Sequence, residues 1–584
     1  MIGNALPGSR RTFSDLCLDR AALAASMLVS RLAAVRRKTV AGIACAPGRL
    51  VGGDAERARQ LYLGRFDLAG TTVDIGGSCP FRIQAPNDAW AMALHGFAWL
   101  GDLEAAGGAL AKAQARGLIR DWIGLGGKTP KVAWKPAVVA RRLVAWLAHA
   151  PFFADGATPE FRRMFARSLA RHVIRLAEIA HRAEDGVPRL QTATAFALGT
   201  FCTTGLERYR TRAADFLAGE LNRQILADGG HVSRNPQALV AILSELVPLR
   251  DVFLARDIPP VPELLSAIDR MVPMIKMLLH GDGGLAHFNG TGPIETATVA
   301  AVLKHCDYGA RPTMMARASG YARMEHGGSM VLVDCGRADL VGHAKASHAG
   351  CLSFEFSHLK HRLVVNCGAC VDGPEEWQEA ARFTAAHSTL TIADAPSASP
   401  YRRRLLAAAR AGGFCGPDTV EASRTTGDEG TLVAARHDGY AGRYGLVHGR
   451  ELFLAAGGDD LRGVDTLTPV GTGPVADHTF AIRFHLHPAV RASASKDGRS
   501  ILLLLPDKSG WTFVARHAAV ALEESVYFDG GRMPRRTMQI VLTGRAGRIR
   551  AVNWAFKKLA GKPRAEPAGD QAVPELPLEG GGLN

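Results

Sequence analysis

The chain has 584 residues, 47% of them apolar and 21% charged. That is enough for two or three domains with a sizeable core, and it excludes a disordered or low-complexity protein. No apolar run reaches the roughly 18–20 residues of a membrane span. The net charge of +15 points to an anionic partner, because summed positive charge attracts and steers anions. The arginines are spread along the chain and form no nucleic-acid module.

At the N-terminus, Arg10 and Arg11 precede the apolar stretch Ala21–Val29, as in a signal peptide. Asp15, Asp19 and Arg20 interrupt the approach, and no small-x-small cleavage site follows. Export to the cell envelope or periplasm is one expectation, and a cytoplasmic location is the alternative. Ala21–Val35, broken by Arg31, reads as an amphipathic helix within an irregular lead-in over 1–84.

Residues 85–310 carry helical periodicity. Trp90, Leu94, Phe97 and Leu100 share one face, as do Val138, Arg141, Arg142, Ala145 and Trp146 behind Pro136. Phe161–His181, Ala193–Cys202, Leu206–Leu226 and Leu239–Leu249 continue the pattern, separated by clusters such as Asp185-Gly186-Val187-Pro188 and Asp228-Gly229-Gly230. Serial helix pairs fit a toroid or a plain bundle, which periodicity does not separate. From about residue 311 the texture changes to short strands: Ser329–Asp334, Leu352–Phe356, Leu363–Val365, Thr389–Ile392, Glu451–Leu454, Phe480–His485, Ser500–Leu505 and Gln539–Leu542. Strands of this length with Gly/Asp turns predict an antiparallel β-sandwich over 311–560. The Pro/Gly/Glu-rich tail 561–584 reads as disordered. The ten cysteines are scattered, with Cys367 and Cys370 as the one CxxC, and read mostly as small buried residues.

Three polar segments carry the chemistry. The first, Asp228-Gly-Gly-His-Val-Ser-Arg-Asn-Pro236, lies between helices, where His231, Arg234 and Asn235 could hold a carboxylate. The bland alternative is a turn whose Asn235 caps the next helix. The second runs from Gly342-His343 through His348 to Phe356 and on to Leu363-Val-Val-Asn-Cys-Gly368; the third is Arg382-Phe-Thr-Ala-Ala-His-Ser-Thr-Leu-Thr391. Imidazoles at strand entries suit proton transfer or metal ligation. His485 and His487 alternate along one strand and could face one side. Trp90, Trp99, Trp134 and Trp146 could stack on sugar rings, although Trp at helical spacing is usually core.

These segments resemble those of the heparinase II/III family. The first is similar to the family's Asp-Gly-Gly segment that contacts substrate. The second is similar to its His-Ala-His-Ala-Asp-x-Leu-Ser-Phe signature followed by a strand ending Val-Asp-x-Gly, and the third to its Thr-Ala-His-Asn-Thr motif. Leu94-His95-x-Phe97-x-Trp99-Leu100 and Trp134…Arg141-Arg142-Leu143…Trp146 resemble the family's toroid helices. The resemblance implies an α+β multidomain protein, with an incomplete (α/α) toroid over 85–310 joined to the β-sandwich. It implies a lyase that cleaves an acidic, uronate-containing polysaccharide by β-elimination. Such an enzyme must neutralise the carboxylate, remove the C5 proton and protonate the leaving oxygen. The alternative is a protein that binds polyanionic glycan without cleaving it.

Carried over by position, His348 takes the place of the second signature His, Ala346 that of the first, catalytic His, and Gly350 that of the Asp. Asn366 stands where a zinc-ligating Asp belongs, and His387 matches the zinc-ligating His. The Tyr expected after Asp-Gly-Gly is absent, with Ala238 close to its place, and Gln191-Thr192 stands where an Asn-His pair belongs. The resulting catalytic candidates are His348, His343, Asn235 and His231, with Arg234, Trp134, Arg141 and Arg382 for substrate. No cofactor is required. A structural zinc on His348, Asn366 and His387 is a weak expectation, because an amide oxygen is a poor zinc ligand. A hydrolase with paired carboxylates ranks last, since nothing singles out any of Glu104, Asp121, Glu178, Glu220, Asp228 or Glu245.

Overall fold

The computed structural model describes residues 42–338, 347–371, 373–400, 414–473, 475–496, 498–530 and 533–559. The helix expected at Ala21–Val35, His343 and the tail from Gly561 lie outside them. The chain divides into two compact units, Met1–Gln224 with Ala241–Ile268, and Ile225–Val240 with Asp269–Asn584.

The first unit is built on helices: α1 (Ala55–Tyr62), α2 (Asp88–Gly96), α3 (Leu100–Ala106), α4 (Gly108–Gly124), α5 (Pro136–Ala154), α6 (Pro159–Ile179), α7 (Val187–Cys202) and α8 (Arg210–Gln224). Parts of α9 (Pro236–Ala255) and α10 (Pro262–Met277) complete it. A small hairpin, β1 (Arg65–Leu68) with β2 (Thr71–Asp74), was not visible as a periodic run. Local chemistry sets the helix starts. The Thr158 hydroxyl accepts from the Phe161 N–H and Pro159 opens α6, where no intrahelical N–H is missed. The expected separator at Asp185–Pro188 is in fact the start of α7. Gly186, at φ 84°, turns the chain into the helix, and Pro188 sits in its first turn.

Trp90, Trp146, Phe97, Phe153 and Phe196 are among the largest fully buried side chains of this unit. The core reading therefore holds for Trp90, Trp99 and Trp146, whereas Trp134 is half-buried. By length and composition α5 could cross a membrane, but 61% of its most apolar window is buried within the protein. It also carries Arg141 and the fully buried Arg142, so it is a core helix.

The second unit is dominated by two antiparallel sheets. The strands of the larger are β3 (Met315–Ala316), β4 (Tyr321–His326), β5 (Ser329–Asp334), β6 (Phe354–His358), β7 (His361–Val365), β8 (Leu390–Ile392), β15 (Thr479–Leu486), β19 (Ala519–Tyr527) and β20 (Arg535–Arg545). Their order is β19-β20-β15-β7-β6-β5-β4-β3, with β8 also on β15. The other comprises β11 (Val420–Gly427), β12 (Gly430–His437), β13 (Leu446–Ala455), β14 (Asp460–Pro469), β16 (Arg491–Ala494), β17 (Ser500–Leu504), β18 (Gly510–Arg516) and β21 (Ala551–Lys558), in the order β11-β12-β13-β14-β21-β18-β17-β16. A short separate pair joins β9 (Ser399–Pro400) to β10 (Phe414–Cys415).

One apolar core draws Phe354, Phe356 and Phe484 from the first sheet and Trp511, Phe513, Trp554 and Phe556 from the second. β13 alternates buried and half-buried residues along its whole length, the period-two signature of a strand with one face inward. β5 and β6 are buried on both faces; β5 reads accordingly as a near-continuous apolar run, whereas β6 buries Glu355 and Ser357 between its phenylalanines and His358. Gly463 pairs with Trp554 across β14 and β21. A Cβ there would come within 2.1 Å of the indole, so the ring lies where only glycine leaves room.

Candidate functional site

The segment 228–236 folds as a tight turn within the second unit. The Asp228 carboxylate accepts from the Gly230 N–H (3.1 Å) and from the backbone and hydroxyl of Ser319 (2.7 and 2.9 Å). The same Asp-Gly-Gly turn recurs at Asp282-Gly283-Gly284, where Gly284 N–H donates to Asp282 at 2.8 Å. His231 is 1% exposed, and its Nδ1 lies 2.7 Å from the Ser233 hydroxyl. Arg234, at φ 57°, turns its guanidinium inward onto Asp334. It also donates to Ser319 O (2.7 Å), Arg337 O (2.9 Å) and Gly320 O (3.3 Å), and packs 4.9 Å over the Tyr321 ring. The group expected to hold a substrate carboxylate thus holds the protein's own. Asn235 does what the bland alternative described. Its Oδ1 accepts from Gln237 N–H (2.8 Å) at the start of α9, and its Nδ2 donates to Gly290 O (3.0 Å).

Asp334 ties this turn to the signature segments. Leu352 N–H donates to Asp334 O (2.7 Å), and the Asn289 amide donates to its Oδ2 (2.9 Å). His348 and His387 meet across the two signature loops, with Nδ1 of His348 3.2 Å from Nε2 of His387. His387 Nδ1 donates to Phe383 O at 2.9 Å. The pair is sealed, at 5% and 2% exposure. Burial holds both imidazoles neutral, His348 well below its ordinary range, with His387 and Arg382 reinforcing the effect. Gly350, in place of the signature Asp, is packed so closely that a Cβ would come within 2.6 Å of the His387 ring. Arg382 donates to Ser347 O (3.1 Å) and packs 4.8 Å over Phe414. Arg450 on β13 clamps both loops by donating to Leu352 O (2.8 Å) and Ser388 O (2.7 Å) while paired with buried Asp465 (2.8 Å).

Ser357 and Glu355 lie two apart on β6, and His280 bridges them. Its Nδ1 is 2.9 Å from the Ser357 hydroxyl and its Nε2 2.8 Å from the Glu355 carboxylate. The order matches a hydrolytic triad, but the His280 and Glu355 side chains are fully buried and Ser357 is 1% exposed. A nucleophile without access to substrate is a structural network. Glu355 is held down to about 2 against its burial by hydrogen bonding and charge from His280.

Two half-buried imidazoles meet a buried phenol elsewhere in this unit. His287 stacks on Tyr527 at 5.3 Å, and His487 meets the same ring edge-on at 5.3 Å. Both histidines are half-buried and pushed down to about 4, chiefly by burial. Neutral imidazoles beside a protonated phenol can accept and donate protons. His485, paired with His487 on sequence grounds, is buried and bonds Ser525 Oγ (2.7 Å) and Ala385 O (3.0 Å). The two therefore do not share a ligand.

In the helical unit, Glu245 on α9 accepts from the Gln191 amide at 2.9 Å, while its second oxygen is buried without a partner among the described residues. Burial raises it to about 8, against the pull of nearby Arg141. Gln191 is the residue standing where the family's Asn-His pair belongs. No sequence signal separated Glu245 from the other helical carboxylates. Trp134 lines a cavity of about 990 Å³ together with arginines of α4 and α6. The signal for those α6 arginines is their four-residue spacing in the sequence.

The resemblance also implies a structural zinc on His348, Asn366 and His387. Oδ1 of Asn366 accepts from Ser388 N–H (2.9 Å), and its Nδ2 donates to Glu355 (3.3 Å). Both amide atoms are thus engaged. Two imidazoles and a neutral, occupied amide do not fit the four-ligand set that structural zinc takes.

Comparison with known proteins bears on this arrangement. Residues 309–555 match the family model "Heparinase II/III-like, C-terminal". A crystal structure of heparinase III superposes with a TM-score of 0.69 at 13% identity, over 88% of this chain and 86% of that one. The heparan sulfate lyase HepC of Pedobacter heparinus, in a mutant form, gives 0.62 at 14% identity, over 94% and 89%. These likenesses establish a lyase fold. The FtsZ-localized protein C of Caulobacter vibrioides is 33% identical over 501 residues, 84% of this chain and 85% of that protein. With a relative that similar along most of its length, the family model over the sheet-bearing half and the heparinase fold throughout, the chain belongs to the heparinase II/III-like family.

Proposed function

We propose that this chain is a non-catalytic protein on a lyase fold that binds polyanionic glycan and works in the cytoplasm where FtsZ is found. The observation that carries the loss of turnover is the sealed His348–His387 pair. Of the signature's acid–base groups, the first His is Ala346 and the Asp is Gly350, and the imidazoles that remain face each other away from solvent. β-Elimination needs a base at C5, an acid at the leaving oxygen and a partner for the uronate carboxylate. Arg234 and Asn235, the candidates for the last task, are engaged with protein atoms. On this reading the chain needs no metal. The finer fold assignment belongs here as well: the helical unit reads as an incomplete (α/α) toroid, and the two sheets with their common core as the layers of a sandwich.

Location follows the relative rather than the fold. The 33% identical protein is FtsZ-localized, which supports a cytoplasmic place over the envelope. A fluorescent fusion to the full chain, imaged beside labelled FtsZ, tests this. Coincident bands support the reading, and uniform envelope fluorescence contradicts it. Turnover is tested with a panel of acidic glycans, reading the ultraviolet absorbance of the unsaturated uronate that β-elimination leaves.

The second reading is an active lyase, and His287, Tyr527 and His487 favour it. They set two half-buried neutral imidazoles against a buried, protonated phenol, outside the signature. If product forms, loss of turnover in His287→Ala with retained turnover in His348→Ala assigns it to this cluster.

A further inference from the structure

The cavity of the helical unit is walled along one side by a single face of α6. Arg163, Arg167, Arg171 and Arg175 follow at four-residue intervals and all line it. Residues four apart share a helix face, with successive positions about 6 Å apart along the axis. Arg120 of α4 joins them, and Glu160 is the single carboxylate among the described residues of the lining. Arg120, Arg163 and Arg167 are exposed and form no ion pair among the described residues. Trp134 supplies an aromatic face, stacked from behind on His172 at 5.7 Å.

A second observation points the same way. Arg142 is fully buried, and no carboxylate among the described residues pairs with it. It donates to His172 Nε2 (2.8 Å), His95 O (2.7 Å) and Ala133 O (3.0 Å), and lies 4.1 Å over Trp122 and 5.5 Å over Trp134. Trp122, Trp134 and His172 are themselves cavity wall, so a buried guanidinium with no counter-ion among the described residues stands one side chain behind the lining. Burial of an uncompensated charge is unfavourable, and an anion in the cavity offsets it.

We infer that this cavity is the binding site for a linear acidic saccharide, with successive anionic groups paired along Arg163 and Arg167 and one sugar ring on Trp134. The inference rests on the polyanion-binding reading above and gives it a place. A ladder of guanidinium groups suits repeated charges on an extended chain, whereas a single phosphate is held by converging donors. Single-stranded nucleic acid uses successive aromatic platforms, and this lining offers one half-buried indole.

The test uses the full chain and a fluorescein-labelled heparin oligosaccharide, followed by fluorescence anisotropy at low salt. Arg163→Glu with Arg167→Glu weakens binding about tenfold or more, by reversing two charges the ligand meets directly. Arg491→Glu with Arg516→Glu, two exposed arginines of the second unit, changes net charge equally and leaves the affinity within about twofold. If the α6 pair fails to fold by circular dichroism, Arg120→Glu on α4 decides in its place. Equal weakening by the α6 and control reversals overturns the site while leaving polyanion binding standing. Preferential displacement by single-stranded DNA or polyglutamate overturns the saccharide class. No binding by the wild-type chain removes the polyanion-binding reading itself.

Discussion

Glu245→Gln isolates the energetic consequence of one buried carboxyl. In the folded chain burial raises the group from 4.5 to about 8. A group whose folded value is raised binds its proton more tightly when folded. Its contribution is therefore complete below about pH 4.5 and declines as pH rises through 8. At pH 7 the linkage integral between those two values is about 3 kcal/mol. Glu245 is half-buried by surface area, and solvent screening reduces this to about 2 kcal/mol. Glutamine keeps the acceptor for Gln191 and removes the titration. The variant should match or fall slightly below wild type at pH 4.5, because the carboxyl oxygen that lacks a partner becomes an amide in the same position. It should exceed wild type by about 2 kcal/mol at pH 7 and by about 3 kcal/mol at pH 9, where the gain levels off. Denaturant unfolding of both proteins at pH 4.5, 7 and 9 reads the difference directly. A difference that does not change with pH would refute the reasoning.

Arg234→Met leaves Asp334 buried without its partner and should cost about 3–5 kcal/mol in unfolding experiments. Adding Asp334→Asn should recover part of that loss, and a double variant no better than the single one contradicts the pairing argument. Asn366→Asp supplies the carboxylate that the family's zinc-ligating Asp would bring, bonded to the N–H of Ser388, which follows His387 in sequence, and next to Glu355, so the variant should take up one equivalent of zinc by calorimetry where the wild type stays substoichiometric. Stoichiometric zinc on the wild-type chain would show that the amide is no obstacle.

Much of the fold was legible because two periodicities differ. The 3.6-residue pattern of Phe161–His181 and the apolar run Ser329–Asp334 became α6 and β5. Strands such as β11 and β19 went unseen because they alternate mostly half-buried and exposed residues and leave no apolar run. The start of α7 was misread because Gly-Val-Pro serves equally as a separator and as a helix opening. At the site, the resemblance grouped His348 and His387 in one zinc set and showed Ala346 and Asn366 in place of a His and an Asp; the two imidazoles do approach each other, without the rest of that set. It did not predict that Arg234 would turn inward, because Asp334 lies 100 residues away in sequence. Nor could it single out Glu245, whose character comes from burial rather than from its neighbours in the chain.

Incubation of the purified chain with heparin and other acidic glycans, followed for both anisotropy and unsaturated-uronate absorbance, tests binding without turnover most directly. Salt-sensitive binding with unchanged glycan length and no new ultraviolet absorbance is the predicted result. A steady rise in absorbance with shortening of the glycan would contradict it and return the chain to the active lyases.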